Sequence, residues 1–398
     1  MKEGDGTAAE KKERSTSIFH DDVYMQKKEK GVFDQMKKLS YLLMAVLILG
    51  LLLSGCGGGS TAPEPVPADE TPADETPTPA EPAAPGQVIE ISFAHNGPAE
   101  PAHPQNIAAN HFKDIVAERS NGELQVTVYP AAQLGNAREV VEALQLGTIE
   151  MGDIENGPMG LFVPEANVWD LPYIFEDIDH AHRVLDGEVG QSLQEKFLDI
   201  GIRHLAYNDG GFRYFTNSVR PIVEPSDMQG LRIRVMESEV MISTIEAFGG
   251  NAIPMSFFEV YSSLEQGVID GQENPPDLIY DMDFYEVQNY FSISQHFYYP
   301  RQYIVSESFF QGLSPEHQEI IQQAAIEACQ VQRQETARYG QETLALLDEH
   351  MEINEVNQAA FAEIARNDVY PRFYELIGGG DAAAGEALIN AILEEGTQ

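Results

Sequence analysis

GLRIRVMESEVMISTIEAFGGNAIPMSFFEVYSSLEQGVIDGQENP, residues 230–275, decides the fold. Leu231, Ile233 and Val235 alternate with Arg232 and Arg234, which predicts a strand with both arginines on one face. Met241, Ile242, Ile245 and Phe248 recur at helical spacing and stop at Gly249-Gly250. Ser256-Phe257-Phe258-Glu259 has the spacing of a capping box and predicts a further helix, ending at Gly267 before a strand at Val268-Ile269-Asp270. Alternating strands and helices imply a mostly parallel sheet. Asp270-Gly271-Gln272-Glu273-Asn274 and Arg234 then fall at neighbouring strand ends, where open α/β sheets place ligands.

The same order occurs upstream. Ile89 to Phe93 alternates as a strand, and His103 to Ser120 is helical, with Ile107, Ala108, Phe112, Ile115 and Val116 on one face. Leu124 to Tyr129 alternates again, Ala137 to Leu146 is a helix closed by Gly147, and Thr148 to Met151 is a short strand. LQLGTIE (144–150) and LEQGVID (264–270) share a helix end, a glycine, a β-branched strand start and an acid. The match predicts one module repeated in two lobes, each copy facing the cleft. Ser314 to Leu347 reads as a helix long enough to cross both lobes, with Ala324, Ala325, Ile326 and Cys329 inward; helices near 357–376 and 382–394 close the chain.

The N-terminal part carries no fold. Lys37-Lys38, an apolar run from Leu39 to Leu53 and then Leu53-Ser54-Gly55-Cys56 make a signal peptide whose end resembles a bacterial lipobox. Cleavage before Cys56 would put lipid on that thiol; the alternative, a transmembrane anchor, leaves Cys56 unexplained. Met36 is a natural start, so residues 1–35 read as an upstream extension. Residues 57–86, with PADETPADETPTPAEP, cannot bury a core and form an extended tether. With Cys56 lipidated, Cys329 has no disulfide partner and reads as a small buried hydrophobe.

The formal charge is -40, which disfavours nucleic-acid binding. Beyond residue 56 there are 56 acidic and 15 basic side chains, and the only lysines are Lys113 and Lys196. Such a surface suits high salt, and equally an ordinary acidic extracytoplasmic protein. His180-Ala181-His182 beside Asp177 and Asp179 lacks a third metal ligand of defined geometry. There is no GxSxG, P-loop, HExxH or EF-hand pattern, so no metal, cofactor or catalytic residue is assigned.

GLRIRV, PMSFFEVYSSLEQGVIDGQENP, YPAAQLGNAREVVEALQLGTIEMG and DLPYIF together resemble the substrate-binding proteins of TRAP transporters, DctP type, over residues 88–390. The resemblance implies a two-lobed periplasmic-binding-protein-like α/β clamshell, mostly parallel sheets flanked by helices. It also implies capture of an organic acid outside the membrane and delivery to a TRAP membrane permease driven by an ion gradient. The expected lobes are 87–210 with 300–340, and 211–299 with 350–398, joined by the helix 314–347. By motif position, Arg234 is the main ligand arginine, Arg213 a second, Asn274 the amide, Glu155 an acid after the LGTIEMG strand, and Phe257 an aromatic wall. His103 and Gln105 lie in the loop that lines the cleft. A tethered monomer is the simplest assembly.

Chemistry supports those types. A carboxylate leaving water needs a compensating partner, and arginine offers two parallel charge-assisted hydrogen bonds. The alternatives are structural: Arg234 pairing with Asp270 or Glu273, Arg213 with Glu155, Asn274 capping a turn and Phe257 in the core. C4-dicarboxylates, other short carboxylates and sugar acids all suit one arginine and one amide. Two rival functions remain at this point, a surface receptor feeding a sensor and a cell-surface sugar-acid hydrolase or lyase.

Overall fold

The computed structural model describes residues 88–396. The expected signal peptide, Cys56 and the tether lie outside those residues. In the first half, β1 (Ile89–His95) lies between β2 (Leu124–Tyr129) and β3 (Met151–Glu155), all parallel. Between them run α1 (Pro104–Arg119) and α2 (Ala137–Gln145). α1 buries Ala108, Ala109, Phe112 and Val116, the stripe set by its apolar spacing. α2 opens with a reciprocal capping box between Asn136 and Glu139.

The segments α3 (Ile178–Asp186) and α4 (Glu188–Lys196) lead into β4 (Ile202–Asn217). The second half repeats the first with β5 (Arg232–Val235), α5 (Glu239–Ala247), β6 (Asn251–Pro254), α6 (Val260–Glu265) and β7 (Gly271–Asn274). β5 pairs in parallel with β6 and β7. The capping box expected at Ser256 does not form: its side chain makes no cap bond, and a 3-10 turn over Phe257–Glu259 precedes α6.

The repeated heptapeptides adopt the same local structure. Gly147 and Gly267 have φ of 68° and 66°, a left-handed conformation that glycine alone adopts without strain. The next amide bonds back to the helix in each copy, Thr148 to Ala143 O and Val268 to Ser263 O, both at 2.9 Å. Those residues therefore finish the helix, and the strands start at Met151 and Gly271, three residues later than expected at both sites. The acids do the same job too: Glu150 Oε2 accepts from Ser92 N at 2.8 Å and Asp270 Oδ2 from Arg232 N at 2.9 Å.

Two long antiparallel strands, β4 and β8 (Tyr290–Ser306), join the halves into one nine-stranded sheet of order β2-β1-β3-β8-β4-β7-β5-β6, with β9 (Glu352–Glu355) beside β8. Parallel pairing thus holds within each half, and the centre is antiparallel. The register of β4 against β8 shifts between Asp209 and Phe212, where Gly210 and Gly211 interrupt the ladder. Between β7 and β8 lies α7 (Pro276–Asp281).

The predicted long helix is α8 (Pro315–Leu347), capped by Ser314. It is bonded to β4 through Gln322 and the carbonyl of Leu205, and through Gln332 and Thr336 and the carbonyl of Asp209. Tyr339 reaches Asp281 at the end of α7 with an O–O distance of 2.7 Å, so α8 touches both halves. Cys329 is buried among Ala206, Ala325 and Tyr303, as its setting predicted.

The C-terminal part departs from expectation. The helix expected near 357–376 is split into α9 (Gln358–Ile364) and α10 (Tyr370–Ile377) by a π turn at Ala365–Val369. Pro371, in the first turn of α10, has no N–H to continue a regular ladder. Phe361 packs with Phe215 and Phe248, whereas Tyr370, Phe373 and Ile377 pack with Trp169, Phe175 and Val184, together with Ile389 and Ile392 of α11 (Ala382–Gly396). The apolar residues of the tail thus join two clusters, Phe361 one and Tyr370, Phe373 and Ile377 the other.

Candidate ligand-binding cleft

Two buried ion pairs stand behind the cleft. Asp153 on β3 and Glu273 on β7 lie six positions after Gly147 and Gly267. Asp153 accepts from Arg301 Nε on β8 at 3.2 Å, and Glu273 Oε1 from Arg213 Nη2 on β4 at 2.9 Å. Tyr299 separates them: its ring centroid is 4.4 Å from Arg213 Cζ and 5.4 Å from Arg301 Cζ, and its hydroxyl accepts from Arg301 Nη1 at 2.9 Å. Burial works against both guanidinium charges, but their carboxylates outweigh it, and both pKa values are raised. Burial also pushes the Tyr299 hydroxyl up to about 12, keeping it neutral.

Arg234 is different. It is 2 % exposed, and its Nε and Nη2 donate to the carbonyl of Met255 at 3.1 and 2.8 Å. Among the described residues its Nη1 has no hydrogen-bond partner. Neither carboxylate suggested for it is free: Asp270 is bonded to Arg232 at 2.6 Å and Glu273 to Arg213. Burial draws the Arg234 pKa down to about 10, Glu273 opposing and Arg213 adding to the fall. The group stays a cation at neutral pH, and none of the described carboxylates is bonded to it.

Around Arg234 one cavity is lined by Asn96, Gln105, Glu155, Met236, Asn274 and Tyr299, among others. Phe257 also lines it, with its ring centroid 5.9 Å from Arg234 Cζ. Glu155, expected as a partner of Arg213, is not bonded to it. Its Oε1 accepts from Asn96 Nδ2 at 3.4 Å, and Arg301 Nη2 is 3.5 Å from Oε2. Asn274 Oδ1 accepts from Arg213 Nη2 at 3.0 Å, while its Nδ2 donates to Gln272. Arg213 is fully buried and lies behind the cavity lining rather than in it.

The loop residues divide. Gln105 reaches the cavity but donates to Asp153 Oδ2 at 2.8 Å, supporting the Arg301 pair. His103 lines a neighbouring pocket, caps α1 through Nδ1, and has Nε2 3.6 Å from Asp277. Burial, with His95 and Arg301 adding, lowers the His103 pKa to about 3, so the ring is neutral. The His180 and His182 pair serves packing: His180 meets the carbonyl of Ile392 and His182 meets Asp209. A larger open groove lies between α4 and α8, but its arginines, Arg203 and Arg333, are bonded to Glu307 and Asp186 and leave no free charge.

Sequence reasoning missed Arg301, Asp153 and Tyr299. Asp153 carried a signal, since it occupies the position in the first module that Glu273 holds in the second. Arg301 and Tyr299 gave none, because β8 was not read as a strand.

Residues 93–375 match the family model of bacterial extracellular solute-binding protein, family 7, called DctP. The chain is 36% identical over 292 residues to the 2,3-diketo-L-gulonate-binding periplasmic protein of Escherichia coli, covering 73% of this chain and 88% of that one. A TRAP periplasmic solute-binding protein from Roseobacter denitrificans with bound β-D-glucuronate superposes with TM-score 0.73, at 31% identity, covering 77% of this chain and 99% of the other. One from Sulfurospirillum deleyianum with bound succinate gives TM-score 0.70 at 35% identity, covering 76% and 97%. The chain belongs to the DctP family of extracytoplasmic TRAP solute-binding proteins. These are binding proteins rather than enzymes, which disposes of the hydrolase or lyase reading.

Proposed function

We propose that the protein captures an organic acid by its carboxylate at Arg234 and releases it to a TRAP permease. One observation carries the reading: a buried guanidinium without a bonded counter-ion keeps one nitrogen free at a cavity wall. A bound carboxylate would supply the missing charge with charge-assisted hydrogen bonds. The carboxylates bound by the two solved relatives support it. In this reading Asn274, Glu155 and Phe257 form the walls. Arg213 and Gln105 hold those walls in place, and His103 stands outside.

The lobes are taken as 88–209 with 300–340 and 212–299 with 341–364, the last helices being shared. Closure bends β4 at Gly210-Gly211, and ligand favours the closed state by contacts from both sides. A lipid on Cys56 and the 57–86 tether hold a monomer at the membrane. Calorimetric titration of the full chain with D-glucuronate and succinate tests the anchor. Arg234→Ala should abolish binding, and Arg234→Lys should weaken it at least about tenfold, since the fork is lost. An Arg234→Ala protein that binds as tightly as the parent would end the proposal.

A further inference from the structure

The cavity carries a second kind of unmet valence. Glu155 and Asn96 are each 7 % exposed; among the described residues Glu155 Oε2 and Asn96 Oδ1 accept no hydrogen bond, Arg301 Nη2 standing 3.5 Å from Oε2. Both residues line the cavity with Arg234. Buried acceptors left unpaired are costly, so a fitting ligand brings donors to them. A carboxylate is acceptor-only and cannot do this; a hydroxyl can.

Charge points the same way. Among the described residues Arg213, Arg234 and Arg301 are buried; Arg213 is bonded to Glu273, and Arg301 lies 3.2 Å from Asp153 and 3.5 Å from Glu155. The three arginines and the three carboxylates balance in charge, and Arg234 is the one of these arginines with no carboxylate at ion-pair distance. One carboxylate satisfies Arg234, and a second would bring like charge to Glu155 in a water-poor site. The remaining arginine near the cavity mouth, Arg138, is exposed and paired with Glu142.

We infer that the ligand is a polyhydroxy monocarboxylate, a sugar acid of the uronate or aldonate type, with its carboxylate on Arg234 and its hydroxyls on Glu155 and Asn96, and that dicarboxylates are disfavoured. The inference rests on the carboxylate reading above. Its test is titration of the full chain with D-glucuronate, D-galactonate, succinate and L-malate. At least one sugar acid should bind about tenfold or more tighter than either dicarboxylate. Glu155→Gln should narrow that gap by weakening the sugar acid and strengthening succinate, and Asn96→Ala should weaken only the sugar acid. Because Glu155→Gln keeps the shape and Asn96→Ala is a separate probe, loss of folding in one leaves the other informative. Succinate or malate binding as tightly as both sugar acids overturns the inference while leaving the carboxylate anchor intact. No binding of any of the four by folded protein overturns both.

Discussion

Gly210 lies against the ring of Tyr299 so closely that a Cβ at 210 would sit 2.4 Å from Tyr299 Cδ1. The contact joins the break in β4 to the ring that separates the two arginine pairs. Gly210→Ala must push that ring away, and overpacking of this kind costs about 1–3 kcal/mol. Urea unfolding should show a lower midpoint, and carboxylate affinity should fall because Arg301 loses its support. A midpoint equal to the parent's would mean the ring moves freely, contrary to its packing.

The two classes of ion pair should respond differently. Glu273→Gln leaves the Arg213 charge buried without its carboxylate, and breaking such a pair costs about 3–5 kcal/mol. Arg232→Ala removes a surface partner of Asp270 and should hardly move the urea midpoint. Equal losses in the two variants would contradict the assignment of the Arg213 pair as structural.

Burial raises the Asp277 pKa to about 7, against an ordinary value of 3.8. Between those values the unfolded chain gives up a proton that the folded chain keeps. This group's contribution is therefore fully present below about pH 4 and is lost as pH rises through 7. Asp277→Asn mimics the protonated acid. Its stability relative to the parent should rise from pH 4 to pH 8, by about a few kcal/mol at most. A difference that stays flat over that range would refute the raised pKa.

The formal charge of -40 repels an anionic ligand from a distance. Salt screens that repulsion, while the buried Arg234 contact is screened little. Sugar-acid affinity should therefore hold or rise between about 20 mM and about 500 mM NaCl. A several-fold loss in calorimetric titration would show that exposed basic groups, not Arg234, dominate capture.

Local modules were legible before the structure because their signals are local. Leu231 to Val235, the glycine stops and the LQLGTIE and LEQGVID pair each report their own turn or strand. The central strands were not. β8 is buried on both faces from Phe297 to Ser306, so it shows no alternation, and Pro300 argues against a central strand. Pro300 is tolerated opposite Asp209, where the β4 ladder shifts register. Arg234 was readable as the arginine of a strand at a sheet switch point. Its freedom from Glu273 was not, because that depends on Arg213, 60 residues away from Glu273 in sequence.

Asp209 is held on every side. Its carbonyl takes Gln332 and Thr336 of α8, and its carboxylate takes Tyr298, His182 and the amide of Gly211. The strand is thus bonded to α8 immediately before its two glycines. In the closure proposed above, that anchoring makes the first half the fixed side and the second half the swinging side. A pair of spin labels on the 315–333 part of α8 and on α1 should read one distance with or without ligand, while a pair on that part of α8 and on α5 should read a different distance in each state.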